Sequence, residues 1–191
     1  ALKLPYGGQS LYFLNAVACI QLEKFEEAVK VSEEGLDFVV ENPQLEGQFL
    51  MLKGEGAYKL NKKQEAFKLF DEAVALDPEN YIALNNYAYY LSLNNIELEK
   101  ARSMAQKATE LDPGNASNQD TYGWVLYKLG EYKDALEWIG MAVDNHNTDN
   151  AEVLEHYGDV RYKLDRKDEA RKFWDRALKA GNGGSEFLQK K

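Results

Sequence analysis

Tyr122-Gly123-Trp124-Val125-Leu126-Tyr127-Lys128-Leu129-Gly130-Glu131-Tyr132-Lys133-Asp134-Ala135-Leu136-Glu137-Trp138-Ile139-Gly140-Met141-Ala142 is the stretch that decides the fold. It holds two apolar stripes at helical spacing, Tyr122, Leu126 and Leu129, then Ala135, Ile139 and Ala142. Gly130-Glu131 between them reads as a tight helix-to-helix turn. The stretch is therefore a helix, a turn and a second helix, and neither helix can bury its stripe alone.

The same pattern recurs along the chain. Tyr-Lys-Leu occurs at Tyr58, Tyr127 and Tyr162, spaced 69 and 35 residues apart. A glycine stands four residues before each, at Gly54, Gly123 and Gly158, and Asn80, Asn115 and Asn150 keep the same step. Paired alanines repeat in register: Ala66 and Ala73, Ala101 and Ala108, Ala135 and Ala142, Ala170 and Ala177. A large residue lies between them at Phe70, Ile139 and Trp174, with Ala105 the exception. Asn80 and Asn115 stand where a helix N-cap is wanted, and Pro78 and Pro113 end the helices before them.

The pattern predicts first helices over 9–22, 45–59, 80–93, 115–129 and 149–163. Second helices are predicted over 25–41, 63–76, 97–111, 132–145 and 167–180. The units run over 9–43, 44–79, 80–114, 115–149 and 150–181, a 9–180 array of five. Residues 1–8 read as irregular or as the end of an earlier repeat. Residues 182–191 read as a capping tail in which Ser185 starts a turn bearing Phe187 and Leu188. The longer link at Asn42-Pro43 is expected to loosen packing between the first two units. Stacking neighbouring pairs buries a continuous core, with Ala and Gly allowing close approach.

Composition narrows the function. The chain carries 23 Lys and Arg against 32 Asp and Glu, a formal net charge of −9. Nucleic-acid binding needs a basic face to displace counterions, and the acidic balance argues against it and equally against docking on anionic membranes. A single cysteine, Cys19, excludes an internal disulfide and paired-cysteine metal or redox sites. No apolar run approaches a membrane span. The chain begins at Ala1, so a removed leader would place it in a bacterial periplasm or envelope, and otherwise it is cytoplasmic.

On these residues the chain resembles the tetratricopeptide repeat family. The fourth unit carries the resemblance best, in Tyr122-Gly123, Leu126, Tyr127, Gly130, Tyr132, Ala135, Ile139 and Ala142. The first is weakest, with Tyr12, Ala16, Ala28 and Gly35 but Cys19 where the family prefers tyrosine. The closing proline is absent from units four and five, where Asn147 and Asn182 stand. The wording of units three to five is similar to bacterial members, many of them envelope lipoproteins or assembly factors. The resemblance implies an all-α fold, a right-handed alpha-alpha superhelix of about five stacked units, and a non-catalytic scaffold that binds a protein or peptide on its concave face. The alternatives are a structural or self-oligomerising module, pairing through Phe13, Tyr89 or the Phe187 region, and an accessory domain of an enzyme.

In the family the first helix of each unit lines that face. Carried over by position, the outer line is Phe13, Met51, Asn85, Asp120 and Glu155; the middle line is Val17, Glu55, Tyr89, Trp124 and Asp159; the third is Ile20, Tyr58, Ser92, Tyr127 and Tyr162. Tyr89 and Trp124, 35 residues apart, should sit side by side. They read either as a peptide anchor or as ordinary packing, and Tyr58, Tyr127 and Tyr162 read as packing first. Glu55, Asp120, Glu152, Glu155 and Asp159 make this face acidic, which points either to a neutral or basic partner or to a plain solvated surface. The family's clamp for a chaperone's C-terminal carboxylate needs Lys and Asn where this chain has Phe13, Val17, Leu52, Ile82 and Asn86, so that mode is not expected.

No enzyme chemistry is expected, and no cofactor. Glu152, His156 and Asp159 share a helix face, with His146 in the preceding loop, and a metal would need such a set. They read instead as surface polar residues, because no second helix supplies further ligands. Cys19 lies on an apolar stripe without a histidine nearby and reads as a buried small residue.

Overall fold

In the computed structural model residues 8–146 and 150–181 are described. The ten helices among them are α1 Gly8–Gln21, α2 Phe25–Leu36, α3 Pro43–Lys59, α4 Lys63–Leu76, α5 Tyr81–Asn94, α6 Leu98–Leu111, α7 Ala116–Leu129, α8 Tyr132–His146, α9 Ala151–Lys163 and α10 Lys167–Ala180. No strand occurs among the described residues. The chain forms two compact units, residues 1–83 and 84–191. In the first, α1 packs on α2, α2 on α3 and α3 on α4. In the second, α6 packs on α7, α7 on α8, α8 on α9 and α9 on α10, with α7 also touching α9.

One turn device closes every pair. Glu23, Asn61, Asn95, Gly130 and Asp165 all take positive φ. Each N–H bonds three residues back, to the carbonyls of Ile20, Tyr58, Ser92, Tyr127 and Tyr162. The next N–H bonds five residues back, from Lys24, Lys62, Ile96, Glu131 and Arg166 to Cys19, Ala57, Leu91, Leu126 and Arg161. This left-handed C-terminal motif satisfies carbonyls that a helix end would otherwise leave bare. One of the five positions is glycine and three are Asn or Asp, the L-residues that enter the left-handed region most readily, which leaves Glu23 as the one to hold it at the ordinary cost of about 1 kcal/mol.

At the helix starts asparagine does the capping. The side-chain oxygens of Asn42, Asn80, Asn115 and Asn150 accept backbone N–H bonds from Leu45, Ala83, Asn118 and Val153 at 3.0–3.3 Å. Each of these is the first helix of a pair. The second helices α2, α4, α6 and α10 have no side-chain cap bond, because the turn feeding them is already fixed by the preceding helix end.

Close approach within pairs rests on the recurring glycine. A Cβ on Gly54 would stand 2.5 Å from the Phe70 ring, on Gly123 2.5 Å from Ile139 Cγ1, and on Gly158 2.4 Å from Trp174. In these three pairs the large second-helix residue therefore fills the space that the glycine leaves. Phe49, Phe70, Leu91, Ile139 and Leu154 are fully buried, and so are the paired alanines.

Two expectations are corrected. Helix α2 stops at Leu36, not residue 41. Phe38 and Val39 donate to Gly35 and Leu36, three residues back, and the Phe38 ring stacks on Tyr12 at 5.2 Å. Stacking draws the chain off the helix axis before Glu41, at φ 49°, and Asn42 start the next helix. The longer link does not loosen the first two pairs either. Phe49 of α3 is fully buried and closes on Gly35 of α2, where a Cβ would come within 2.4 Å of its ring. Of the segment 1–8 expected to be irregular, Gly8 already belongs to α1, while residues 1–7 and the tail at 182–191 lie outside the described residues.

Candidate binding surface on the first helices

In the second unit the first helices α5, α7 and α9 carry the chemistry. Helix α7 is buried without interruption from Asn118 to Leu126, although the run opens with four polar residues, Asn118, Gln119, Asp120 and Thr121. The first three are matched by geometry. Asn118 Nδ2 donates to the Ala108 carbonyl at 3.1 Å, and Gln119 Nε2 to the Pro113 carbonyl at 2.8 Å. Gln119 Oε1 in turn accepts from Asn145 at 2.9 Å.

Asp120 finds its partner on α9. His156 Nδ1 lies 3.0 and 3.1 Å from the two Asp120 carboxylate oxygens, and both residues are buried. A buried carboxylate needs such a partner, because leaving it alone costs several kcal/mol of lost hydration. Burial pulls the His156 pKa down. The Asp120 charge and hydrogen bond, helped by Glu152 and Asp159, more than offset that and hold it above the ordinary value.

The imidazole is also held by stacking. It lies parallel on the Trp124 indole, with centroids 3.9 Å apart at 12°. Trp124 stacks as well on Tyr127, one helical turn on, at 4.7 Å and 6°. Lys128 Nζ stands 4.8 Å from the Trp124 ring centre. Burial lowers the Lys128 pKa despite the attraction of Asp159. Burial, with Asp159 and Tyr132 nearby, pushes the Tyr127 phenol up to about 12. Trp124 Nε1 is buried without a hydrogen-bond partner.

At the rim, the Tyr89 hydroxyl of α5 donates to Glu152 of α9. Burial first, then the Glu152 charge and hydrogen bond, raise the Tyr89 pKa. Asp159 accepts from Trp174 Nε1 of α10 at 2.9 Å. Glu152, Asp159 and His156 therefore each serve a different neighbour and do not converge on one point. No group of three or more possible metal ligands occurs among the described residues. The His146 side chain lies outside them.

The expected surface residues fall into three sets. Tyr89, Tyr127, Glu155 and Asp159 are half-buried on the first helices of the second unit, and Tyr162 is 50 % exposed above Trp174. Phe13, Met51, Glu55 and Tyr58 are half-buried in the first unit, where Phe13 meets Phe49 edge-on and Tyr58 meets Phe67 edge-on. Asn85, Asp120 and Trp124 are buried and offer a partner almost no surface. The Tyr89 ring lies 6.1 Å from that of Tyr90, and Trp124 is engaged in stacking on His156 and Tyr127.

His156 corrects the reading of an exposed helix face. It is 6 % exposed and forms the centre of the cluster. Asp120 and His156 are 36 residues apart, one more than the repeat step. That offset places an acid and a histidine on facing sides of adjacent first helices, and it was the available signal.

The chain resembles known proteins over most of its length. TPR repeat-containing protein PA4667 of Pseudomonas aeruginosa is 29% identical over 149 residues, 78% of this chain and 24% of that protein. Hsp70-Hsp90 organizing protein 1 of Glycine max is 30% identical over 70% of this chain and 23% of that protein. The chain thus spans about a quarter of the length of these curated relatives. Among solved structures, TTC0263, a thermophilic TPR protein of Thermus thermophilus, superposes with a TM-score of 0.74 at 21% identity, covering 95% of each chain. Since the tetratricopeptide repeat family pattern matches residues 10–182 and the helix pairs carry its register, the chain belongs to the tetratricopeptide repeat family.

Proposed function

We propose that this chain is a non-catalytic protein-interaction scaffold that holds a neutral or basic peptide segment on the first helices α5, α7 and α9. The observation that carries the reading is the buried Asp120–His156 pair stacked on Trp124. A buried ionisable pair is a poor way to stabilise a helix stack, where apolar residues of the same volume serve as well or better. Such departures from simple packing are expected where a surface is being organised. Here the pair links α9 to α7, and Tyr127, Glu152, Glu155 and Asp159 lie on the same first helices.

That rim is acidic and aromatic. It suits lysine or arginine side chains, which gain from the carboxylates and from the tyrosine faces. Organising proteins for Hsp70 and Hsp90 are among the relatives, but the residues that would clamp a chaperone's terminal carboxylate are replaced here by Phe13, Val17, Leu52, Ile82 and Asn86. A carboxylate-terminated ligand is therefore not the proposed one. A role in envelope assembly, suggested by the wording of units three to five, extends the proposal and is checked by cell fractionation.

The test uses a binding partner captured from the source cells and then purified. Changing Glu152 and Glu155 to Gln and Asp159 to Asn, with helicity unchanged, should weaken binding about tenfold and flatten its salt dependence. Unchanged affinity and unchanged salt dependence would remove this surface from the account.

A further inference from the structure

His156 is out of a partner's reach, yet it stands among the charges of the rim. It and Asp120 are both buried and offer no contact area. From α7 the imidazole faces the Asp120 carboxylate, with Nδ1 at 3.0 and 3.1 Å from its two oxygens. On its own helix Glu152 stands four residues before it and Asp159 three residues after, so both lie on its face, one turn away on either side. Burial works against the His156 proton, and the charges of Asp120, Glu152 and Asp159 together outweigh it.

Other elements reach His156 through those carboxylates. Tyr89 of α5 donates to Glu152, and Trp174 Nε1 of α10 donates to Asp159 at 2.9 Å. Lys128 of α7 lies 4.8 Å from the centre of the Trp124 ring on which the imidazole stacks, and it too feels Asp159. Towards α8 the helix presents Tyr157 instead, whose hydroxyl stands 3.2 Å from where a Cβ on Gly140 would be. A carboxylate has about four acceptor sites, so serving a neighbour does not stop Glu152 or Asp159 from taking a further cation.

Resting on the reading that basic side chains bind this rim, we infer that the buried Asp120–His156 pair regulates it: a lysine or arginine of the partner and the proton of His156 draw on the same carboxylates, so binding releases the proton and tightens as pH rises. A cation at Glu152 and Asp159 cancels part of the field that holds the proton. By reciprocity the proton weakens the attraction for the cation by the same factor. Two unit charges about 8 Å apart near a protein surface change a binding constant by about tenfold. At low pH His156 is protonated with or without the partner, and binding is weaker. At high pH it is neutral in both states, and binding is stronger. The rise lies between the His156 pKa of the complex and that of the free chain, the latter above the ordinary value. Neutral imidazole still donates from Nδ1 to Asp120, so the switch changes charge without taking the pair apart.

The probe is a blocked oligolysine peptide at low salt, followed by NMR and titration calorimetry across pH 5–9. On binding, amides of α7 and α9 should shift and the His156 pKa should fall, and the affinity should rise about tenfold through that window. Asp120→Asn with His156→Gln keeps a pair of amides without charge and should abolish the rise, while His146→Gln should keep it. The His156 titration in the native chain decides the matter even if the double variant loses its helicity. Binding at these helices with an unmoved His156 pKa, an affinity that is flat or falls with pH, or a rise that survives the double substitution would overturn the inference and leave the proposed surface standing. An oligolysine that shifts none of those amides would remove the surface and the inference together.

Discussion

Replacing Asp120 by Asn should reverse the sign of one part of the pH dependence of stability. In the native chain His156 has a raised pKa because Asp120 outweighs its burial. A histidine with a raised folded pKa contributes stability fully below its unfolded value near 6.5 and loses it as pH rises through the folded value. The native contribution therefore falls with pH above about 6.5, by no more than about 1.4 kcal/mol per pH unit. In Asp120→Asn the amide keeps a hydrogen bond but not the charge. The imidazole, buried and 3.9 Å from Trp124, is then driven towards its neutral form. Its folded pKa drops below 6.5, and its contribution is lost as pH falls. At neutral pH the cost of removing one partner of a buried pair is about 3 kcal/mol, less whatever the amide bond restores. Urea unfolding followed by circular dichroism across pH 5–9, taken as native minus variant, reads the effect. A titration of the His156 ring by NMR reads the same group directly, with His146 as the second histidine signal. Parallel pH profiles for the two proteins, or a His156 pKa below 6.5 in the native chain, would refute the reasoning.

Further outcomes follow from packing. Gly123→Ala should cost about 3 kcal/mol in urea unfolding, since its Cβ would meet Ile139 Cγ1 at 2.5 Å and the fixed Ile139 nitrogen at 3.0 Å. Gly114→Ala, whose Cβ would meet nothing within 4 Å, is its control and should stay within about 0.5 kcal/mol. At the turns, Gly130→Ala should destabilise by about 1 kcal/mol, and Asp165→Gly should be neutral or stabilising, because both positions hold positive φ. Thermal melts of the pair test this. Phe70→Ala, which empties a fully buried site against Gly54, should cost about 3–5 kcal/mol and lower the urea midpoint.

The helix pairs were legible in the sequence for a physical reason. Apolar spacing, a recurrent glycine opposite a large residue, and asparagine at the start of four of the five first helices are local features of a stacked pair. They repeat because the pair repeats. Nine of the ten helices begin and end within about two residues of where those signals put them. The tenth, α2, ends early because Phe38 stacks on Tyr12, a contact between side chains 26 residues apart that no local signal encodes. Of the five left-handed turns only Gly130 was read from the sequence; Asn61, Asn95 and Asp165 are residue types that tolerate positive φ without demanding it, and Glu23 gives no local signal for it.

The candidate site divides in the same way. Sequence by itself determined the fold class, the register of the first helices, and hence which lines of residues share a face; these follow from periodicity. Which members of those lines meet a partner and which are used up inside was decided by tertiary structure. Trp124 is committed to His156 and Tyr127, Asp120 to His156, and Tyr89 to Glu152, each across or along helices whose separation depends on every side chain between them. Periodicity fixes the direction in which a side chain leaves its helix. Burial and pairing depend on what arrives from the neighbouring helix, and only the packed structure brings that neighbour into place.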